Sequence, residues 1–319
     1  METIISADAV GRAVELLASG EPVALPTETV YGLAADATRA EAVLKIFEVK
    51  ERPFFDPLIV HLPEPGWLDR VTRDRPPLAG ELAAAFWPGP LTLVLRRREI
   101  VPDVVTSGLE TVAVRMSAHP LFREVAARFG RPLAAPSANR FGRISPTAAA
   151  HVMSELGGRI PLILDGGAAE HGVESTIVSV DGGRINILRS GPVTREDLEK
   201  FGEVVFERRG DSPIAPGQLQ SHYAPRTRMK LVKQAGDFAV PAGLRCGLLA
   251  WNPRAQSHPF ASVEIPSPSQ NLREAAANLF AAMRRLDEAG LDLIVAEEVP
   301  EEGLGIAIMD RLRKASANG

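Results

Sequence analysis

The sequence predicts an α/β protein of two domains, on three observations. Short apolar runs carrying β-branched residues alternate with segments of helical period from the first residues onward. The stretch 206–228, FERRGDSPIAPGQLQSHYAPRTR, is rich in Pro, Gly and polar groups and has no apolar period, so it divides the chain. The alternation resumes beyond it, which points to a second, smaller α/β domain with a parallel sheet. The 319 residues suffice for a domain over 1–205, a linker over 206–228 and a domain over 229–319.

The elements follow in order. Residues 7–19 place Val10, Val14 and Leu17 on one helical face, with Ser6 as the N-cap and Gly20 as the stop. PVALPT is a buried strand, and residues 39–48 form a helix with Val43, Ile46 and Phe47 on its apolar side. PLIVH is a strand entered through Pro57 and closed by Pro63; Lys50, Arg52 and Asp56 stand on the loop that approaches it. The Pro-rich 63–77 reads as a loop, 78–86 as a helix, and WPGP as a turn into the strand LTLVL, whose Arg96, Arg97 and Arg98 read as a solvated edge. In TVAVRM the alternation puts Arg115 on the face opposite Val112 and Val114, and an arginine there needs an anionic partner.

A helix over 119–129 leads to PLAAPSANRFGRISPT, where Ser137, Asn139, Arg140, Arg143 and Ser145 crowd one loop. Such a loop can offer N–H, hydroxyl and guanidinium groups to phosphate oxygens, or simply cap the helix over 147–156. LILDGG and STIVSV are strands around the turn carrying Glu174 and Ser175, and RINILRS brings Arg189 to a strand end. Beyond the linker MKLVKQ, CGLLAW, ASVEIP and DLIVAEE read as strands, and 271–289 as an amphipathic helix through Leu272, Ala276, Leu279, Phe280, Met283 and Leu286.

Composition narrows the function classes. A net charge of −4 argues against a general nucleic-acid or membrane binder. Residues 1–205 hold 22 Lys and Arg against 27 Asp and Glu, yet Lys50, Arg52, Arg115, Arg140, Arg143 and Arg189 all fall in the motif loops. Cations gathered in the motifs of an acidic domain imply a bound anion. The single cysteine, Cys246, excludes internal disulfides and Cys-rich zinc modules, suits a reducing compartment and reads as core. Charged residues interrupt the N-terminal apolar positions, so a cytoplasmic location is expected. There is no GxxxxGK[ST], no strand-linked GxGxxG, no GxSxG, and no metal-ligand spacing among the histidines. The residues alone indicate a pocket for a small anion-bearing ligand.

Seven separated motifs carry a resemblance: PTETVYGLAADA (26–37), KERPFFDPLIVH (50–61), WPGPLTLVL (87–95), TVAVRMSAHP (111–120), PLAAPSANRFGRISPT (132–147), GVESTIVSV (172–180) and ILRSGPVT (187–194). In this order they resemble the Sua5/YciO/YrdC family, and APGQLQSHYAP (215–225) is similar to the linker of its two-domain Sua5 type. The resemblance implies a YrdC-like open twisted mixed sheet with helices and a smaller Rossmann-like second domain. It implies an L-threonylcarbamoyladenylate synthase, a nucleotidyltransferase using L-threonine, bicarbonate and ATP with Mg²⁺. The product would pass to the tRNA threonylcarbamoyl transferase for t6A37 modification, without stable RNA or membrane binding by this chain.

By motif, Thr27, Tyr31, His61, Arg115, Ala135 and Ser175 would line the threonine side. Lys50 and Arg52 would be catalytic and, with Asp56, Thr111, Ser137, Asn139, Ser145, Arg189, His222 and Tyr223, would hold ATP, residues 206–228 serving as a lid. Asp56 stands where the family commonly has Asn and would need a metal or an adenine amino group as partner; Ala135 stands where a hydroxyl is common. The alternative is a double-stranded RNA or nucleotide-binding module without turnover, which the acidic balance disfavours. A carbamoylating hydrogenase-maturation type would bring Cys-rich zinc modules that this chain lacks.

Overall fold

The computed structural model describes residues 2–206, 215–217, 223–257 and 259–317. Two compact units divide the chain: one comprises Met1–Phe141, Pro146–Glu170 and Glu174–Gln218, the other Gly142–Ser145, His171–Val173 and Leu219–Gly319. The second unit therefore draws two short loops from within the stretch expected to form the first domain.

The first unit holds β1 (Ile4–Ser6), β2 (Val23–Leu25), β3 (Gly32–Asp36), β4 (Ile59–His61), β5 (Leu91–Arg96), β6 (Thr111–Arg115), β7 (Leu133–Ala134), β8 (Leu162–Leu164), β9 (Thr176–Asp181), β10 (Arg184–Arg189) and β11 (Glu203–Phe206). They form one mixed sheet in the order β1-β8-β2-β3-β7-β4-β6-β5-β9-β10-β11. Strand parity sorts its central residues onto two faces. Leu91, Leu93, Leu95, Val112, Val114, Val60 and Val178 join the main core on one face. Ile59, Val94, Ala113 and Ile177 form a small apolar floor on the other. The register pairs Ile59 with Ala113, His61 with Arg115, Val94 with Ala113, and Thr92 with Ile177, so polar residues of the same parity border that floor.

Several local expectations change. Ser6 is a strand residue whose hydroxyl accepts from Asp8 N–H at 3.2 Å, and the first helix, Val10–Ala18, starts past Ala9 without a side-chain cap. The second helix runs Ala40–Lys50, so Lys50 ends a helix instead of standing on a loop. The Pro-rich segment contains helical turns at Pro65–Trp67 and Leu68–Val71. The arginine triplet is no sheet edge, because β5 lies between β6 and β9. Arg96 is exposed, but Arg97 donates to Leu109 and Val101 carbonyls and Arg98 to that of Thr72, tying neighbouring loops to the strand end.

In the second unit β12 (Met229–Val232), β13 (Cys246–Leu249), β14 (Ser262–Glu264) and β15 (Leu293–Glu297) form the predicted parallel sheet, ordered β12-β15-β13-β14, with Cys246 buried. The helix Leu272–Glu288 starts at Asn271, whose side chain accepts from Arg273 and Glu274 N–H, and buries the predicted face from Ala276 to Leu286. A further helix, Leu304–Ala315, was not predicted, although Leu304, Ile308 and Leu312 carry its period. At the carboxyl end of β15 the Glu297 carboxylate accepts from Ala235, Trp251 and Asn252 N–H at 2.6, 2.9 and 2.8 Å. The position where parallel sheets gather ligands is here occupied by the protein's own anion.

Two loops close on the helix Leu272–Glu288 inside this unit. Arg284 donates to the Ile144 carbonyl, and Gly172, at φ 67°, lies against the carbonyls of Ala276 and Ala277 where a Cβ would collide with backbone. Gly172→Ala therefore meets both a left-handed backbone and a fixed wall. Its expected cost is about 1–3 kcal/mol of stability, read by urea denaturation, with the change confined to the midpoint.

Candidate active site

The first unit presents two charged clusters. The first is built on the turn after β2. Thr27 closes that turn: its hydroxyl donates to the Val30 carbonyl at 2.6 Å and accepts from Thr29 and Val30 N–H at 3.1 and 3.2 Å. This aims Glu28 and Thr29 at Arg115, the last residue of β6. Arg115 Nη2 donates to Glu28 Oε1 at 2.5 Å and Nη1 to Thr29 Oγ1 at 3.1 Å, while Ser117 Oγ donates to Glu28 Oε2 at 2.5 Å. Burial pushes the Glu28 carboxyl up, but Arg115 and the Ser117 hydroxyl outweigh it and bring the group down to about 2.

His61, beside Arg115 in the register, is buried with its ring centroid 4.7 Å from that of Phe122. Burial, aided by Arg115, holds the imidazole down at about 3, so it is neutral at physiological pH. Among the described residues neither His61 Nδ1 nor Arg115 Nε has a hydrogen-bond partner. Ala135 is buried just past β7, and its N–H donates to the Ile59 carbonyl at 3.0 Å, a backbone contact as a residue without a hydroxyl requires. Tyr31 is a core residue: its hydroxyl donates to the Gly167 carbonyl at 2.7 Å and accepts from Gly166 N–H at 3.1 Å, bracing the turn after β8.

The second cluster is cationic. Lys50 Nζ, buried at the helix end, donates to the carbonyls of Ser137 and Asn139, each at 2.5 Å, while Phe141 N–H returns to the Lys50 carbonyl at 2.9 Å. One ammonium thus shapes the loop 137–141. Burial, with Arg52 adding repulsion, holds that ammonium well below the ordinary lysine value. Arg52 donates from Nε to the Asp56 carbonyl at 3.2 Å and from Nη2 to the Pro57 carbonyl at 2.9 Å, and its Nη2 lies 2.8 Å from Asp56 Oδ2. The partner of Asp56 is therefore a guanidinium; burial pushes its carboxyl up against the pull of Arg52, Lys50 and Arg189. Arg189 reaches the Ser175 carbonyl at 3.1 Å, the Ser175 hydroxyl at 3.0 Å and the Pro216 carbonyl at 3.3 Å; the Ser175 hydroxyl also meets Thr92 Oγ1 at 2.8 Å.

Thr111 shares the Arg115 face but begins the same strand, about 13 Å away at strand rise. There, with Val94, Arg96, Ser179 and Asn186, it lines a cavity of about 450 Å³. Ser145 and Tyr223 belong to the second unit. Ser145 is buried, and the Tyr223 ring stacks on Phe280 at 5.6 Å beneath the cations of Arg311 and Lys314. His222 lies outside the described residues. Among those described, no group of three His, Cys, Asp or Glu side chains could hold a metal ion, and no helix is long and apolar enough to cross a membrane.

Glu28, Ser117 and Thr92 were not predicted as site residues. The signal for Glu28 was present, since Arg115 demanded an anion and PTET offered one. Lys50 and Arg52, expected on an approach loop, are both buried and bonded to backbone, so their removal also bears on the fold. Arg52→Ala strands Asp56 and should cost about 3–5 kcal/mol in denaturant unfolding, a large part returning when Asp56→Asn is added.

A family model described as telomere recombination, Sua5/YciO/YrdC, matches residues 15–191, and one described as the threonylcarbamoyl-AMP synthase C-terminal domain matches 193–317. The chain is 41% identical to the threonylcarbamoyl-AMP synthase of Pyrococcus abyssi, over 95% of this chain and 93% of the relative. It is 40% identical to that of Bacillus subtilis, over 96% and 92%. The crystal structure of P. abyssi Sua5 complexed with L-threonine superposes with a TM-score of 0.90 at 37% identity, covering 99% of this chain and 98% of that one. The chain thus belongs to the Sua5/YciO/YrdC family in its two-domain form, and is an enzyme of the threonylcarbamoyl-AMP synthase type, a nucleotidyltransferase.

Proposed function

We propose that this family member condenses L-threonine, bicarbonate and ATP into threonylcarbamoyl-adenylate and pyrophosphate, a product handed on for t6A modification of adenosine 37 in tRNA. The observation that supports the reading is a pair of buried charged clusters in the first unit, Arg115 with Glu28 at the end of β6, and Lys50, Arg52 and Arg189 about Asp56. Arg115 suits the threonine carboxylate, and the three cations suit phosphate oxygens. Thr111, at the far end of β6, suits the nucleoside end of an extended ATP. Mg²⁺ would ride on the phosphates and supply charge neutralisation there.

Bicarbonate condenses with the threonine amine to a carbamate, the C–N bond forming as water leaves and the nitrogen's proton passes to solvent; a carbamate oxygen attacks the α-phosphorus, that P–O bond forms as the bond to the β-phosphate oxygen breaks, and pyrophosphate leaves with the electron pair. No side-chain nucleophile is needed. Positioning and neutralisation of developing phosphate charge are what the buried cations supply, at no cost of reorganisation since backbone carbonyls already hold them. Pyrophosphate release from ATP should therefore require threonine and bicarbonate together; release without either would overturn the reading.

The Lys50 environment adds a pH signature. A triphosphate beside a depressed ammonium raises its pKa toward the ordinary value, so ATP binding takes up a proton wherever the pH lies between the two. Affinity then falls as pH rises through the depressed value. Calorimetry in two buffers of different ionisation enthalpy, repeated across the range below the ordinary lysine value of about 10.4, should show this uptake, and Lys50→Met should abolish it.

A further inference from the structure

The threonine-side cluster holds a charge arrangement that the reaction alone does not require. Glu28 and Arg115 are 4% and 3% exposed and bonded to each other, and His61 beside them is neutral, so the cluster is a buried pair of opposite poles with no net charge. Each pole has capacity left. A carboxylate offers about four acceptor positions, of which Arg115, Ser117 and the residue's own backbone N–H engage three. Arg115 Nε has no partner among the described residues.

We propose that Glu28 makes this pocket a reader of zwitterions: Arg115 takes the carboxylate pole of an α-amino acid and Glu28 takes its ammonium pole, so that net charge as well as shape selects the ligand. The inference rests on the substrate reading above. Its physical basis is the cost of burying net charge. A zwitterion leaves the closed cluster neutral, with each ligand pole facing the opposite protein pole. A monoanion of the same shape leaves two carboxylates around one guanidinium and nothing opposite Glu28. The Ser117 hydroxyl and the Thr27-closed turn fix Glu28 from two sides, so the preference is built into the resting structure. A carboxylate held so acidic is a poor base at neutral pH; Glu28 orients the ammonium on binding, and the proton lost before the amine meets bicarbonate passes to solvent.

The test is calorimetric binding of two ligands, L-threonine and the 2,3-dihydroxybutanoate of the same configuration, in which a hydroxyl replaces the ammonium. The wild-type protein should bind threonine at least about tenfold more tightly than the hydroxy acid, the scale of one charge-assisted hydrogen bond. Glu28→Gln, which keeps shape and removes the charge, should weaken threonine by about tenfold or more while strengthening the hydroxy acid, because Arg115 is then uncompensated. Equal weakening of both ligands would make Glu28 a purely structural residue and overturn the inference, while leaving the threonine reading intact. A wild-type protein that binds no threonine overturns the substrate reading, and this inference with it. Should Glu28→Gln not fold, Ser117→Ala loosens Glu28 without changing charge. Threonine should then weaken about threefold with the hydroxy acid unmoved, and an equal loss of both would again overturn the proposal.

Discussion

Holding cations out of water is the constraint on which the first unit depends. Lys50, Arg52, Arg115 and Arg189 are all buried, and Glu28 and Asp56 are the carboxylates that pair with them. A buried cation left without acceptors would cost several kcal/mol. Backbone carbonyls supply acceptors to three of the four. Those of Ser137 and Asn139 hold Lys50, those of Asp56 and Pro57 hold Arg52, and those of Ser175 and Pro216 hold Arg189. The loops supplying these carbonyls are placed by the charges they solvate. The same bonds leave the cations preorganised for an anion, which is the condition for electrostatic catalysis without a nucleophile.

The second unit solves a different problem. Its parallel sheet has the topology of a ligand-binding domain, but Glu297 spends three backbone N–H groups of the strand-end loops on an internal carboxylate. Its helix Leu272–Glu288 is instead applied to chain from far upstream, through Arg284 on the Ile144 carbonyl and the close approach at Gly172. Ser145, expected on the ATP side, follows the first of these contacts within the same unit.

What was legible in the sequence is what depends on near neighbours. The alternation in TVAVRM put Arg115 on the face opposite the valines, and the parity of β5, β6 and β9 confirms it. The all-parallel second sheet followed from strands and helices in turn. What was not legible depends on partners far apart in the chain. Lys50 read as a loop cation because its acceptors lie 87 and 89 residues on, and Glu28 went unassigned because Arg115 is 87 residues away. Tyr31 read as a pocket wall, yet its hydroxyl is committed to a turn 136 residues later. Spacing rules have no access to such pairs, whereas the demand for a counter-charge did, and it was correct in kind.

The central claim is that a face organised around buried cations joins a carbamate to an adenylate. It is tested most directly by following the carbon of ¹³C-labelled bicarbonate through the reaction by mass spectrometry. The account predicts an adenylate of threonine carrying one labelled carbon, formed in a one-to-one ratio with pyrophosphate. Pyrophosphate formed without a labelled adenylate, or a threonine adenylate lacking the labelled carbon, would contradict it.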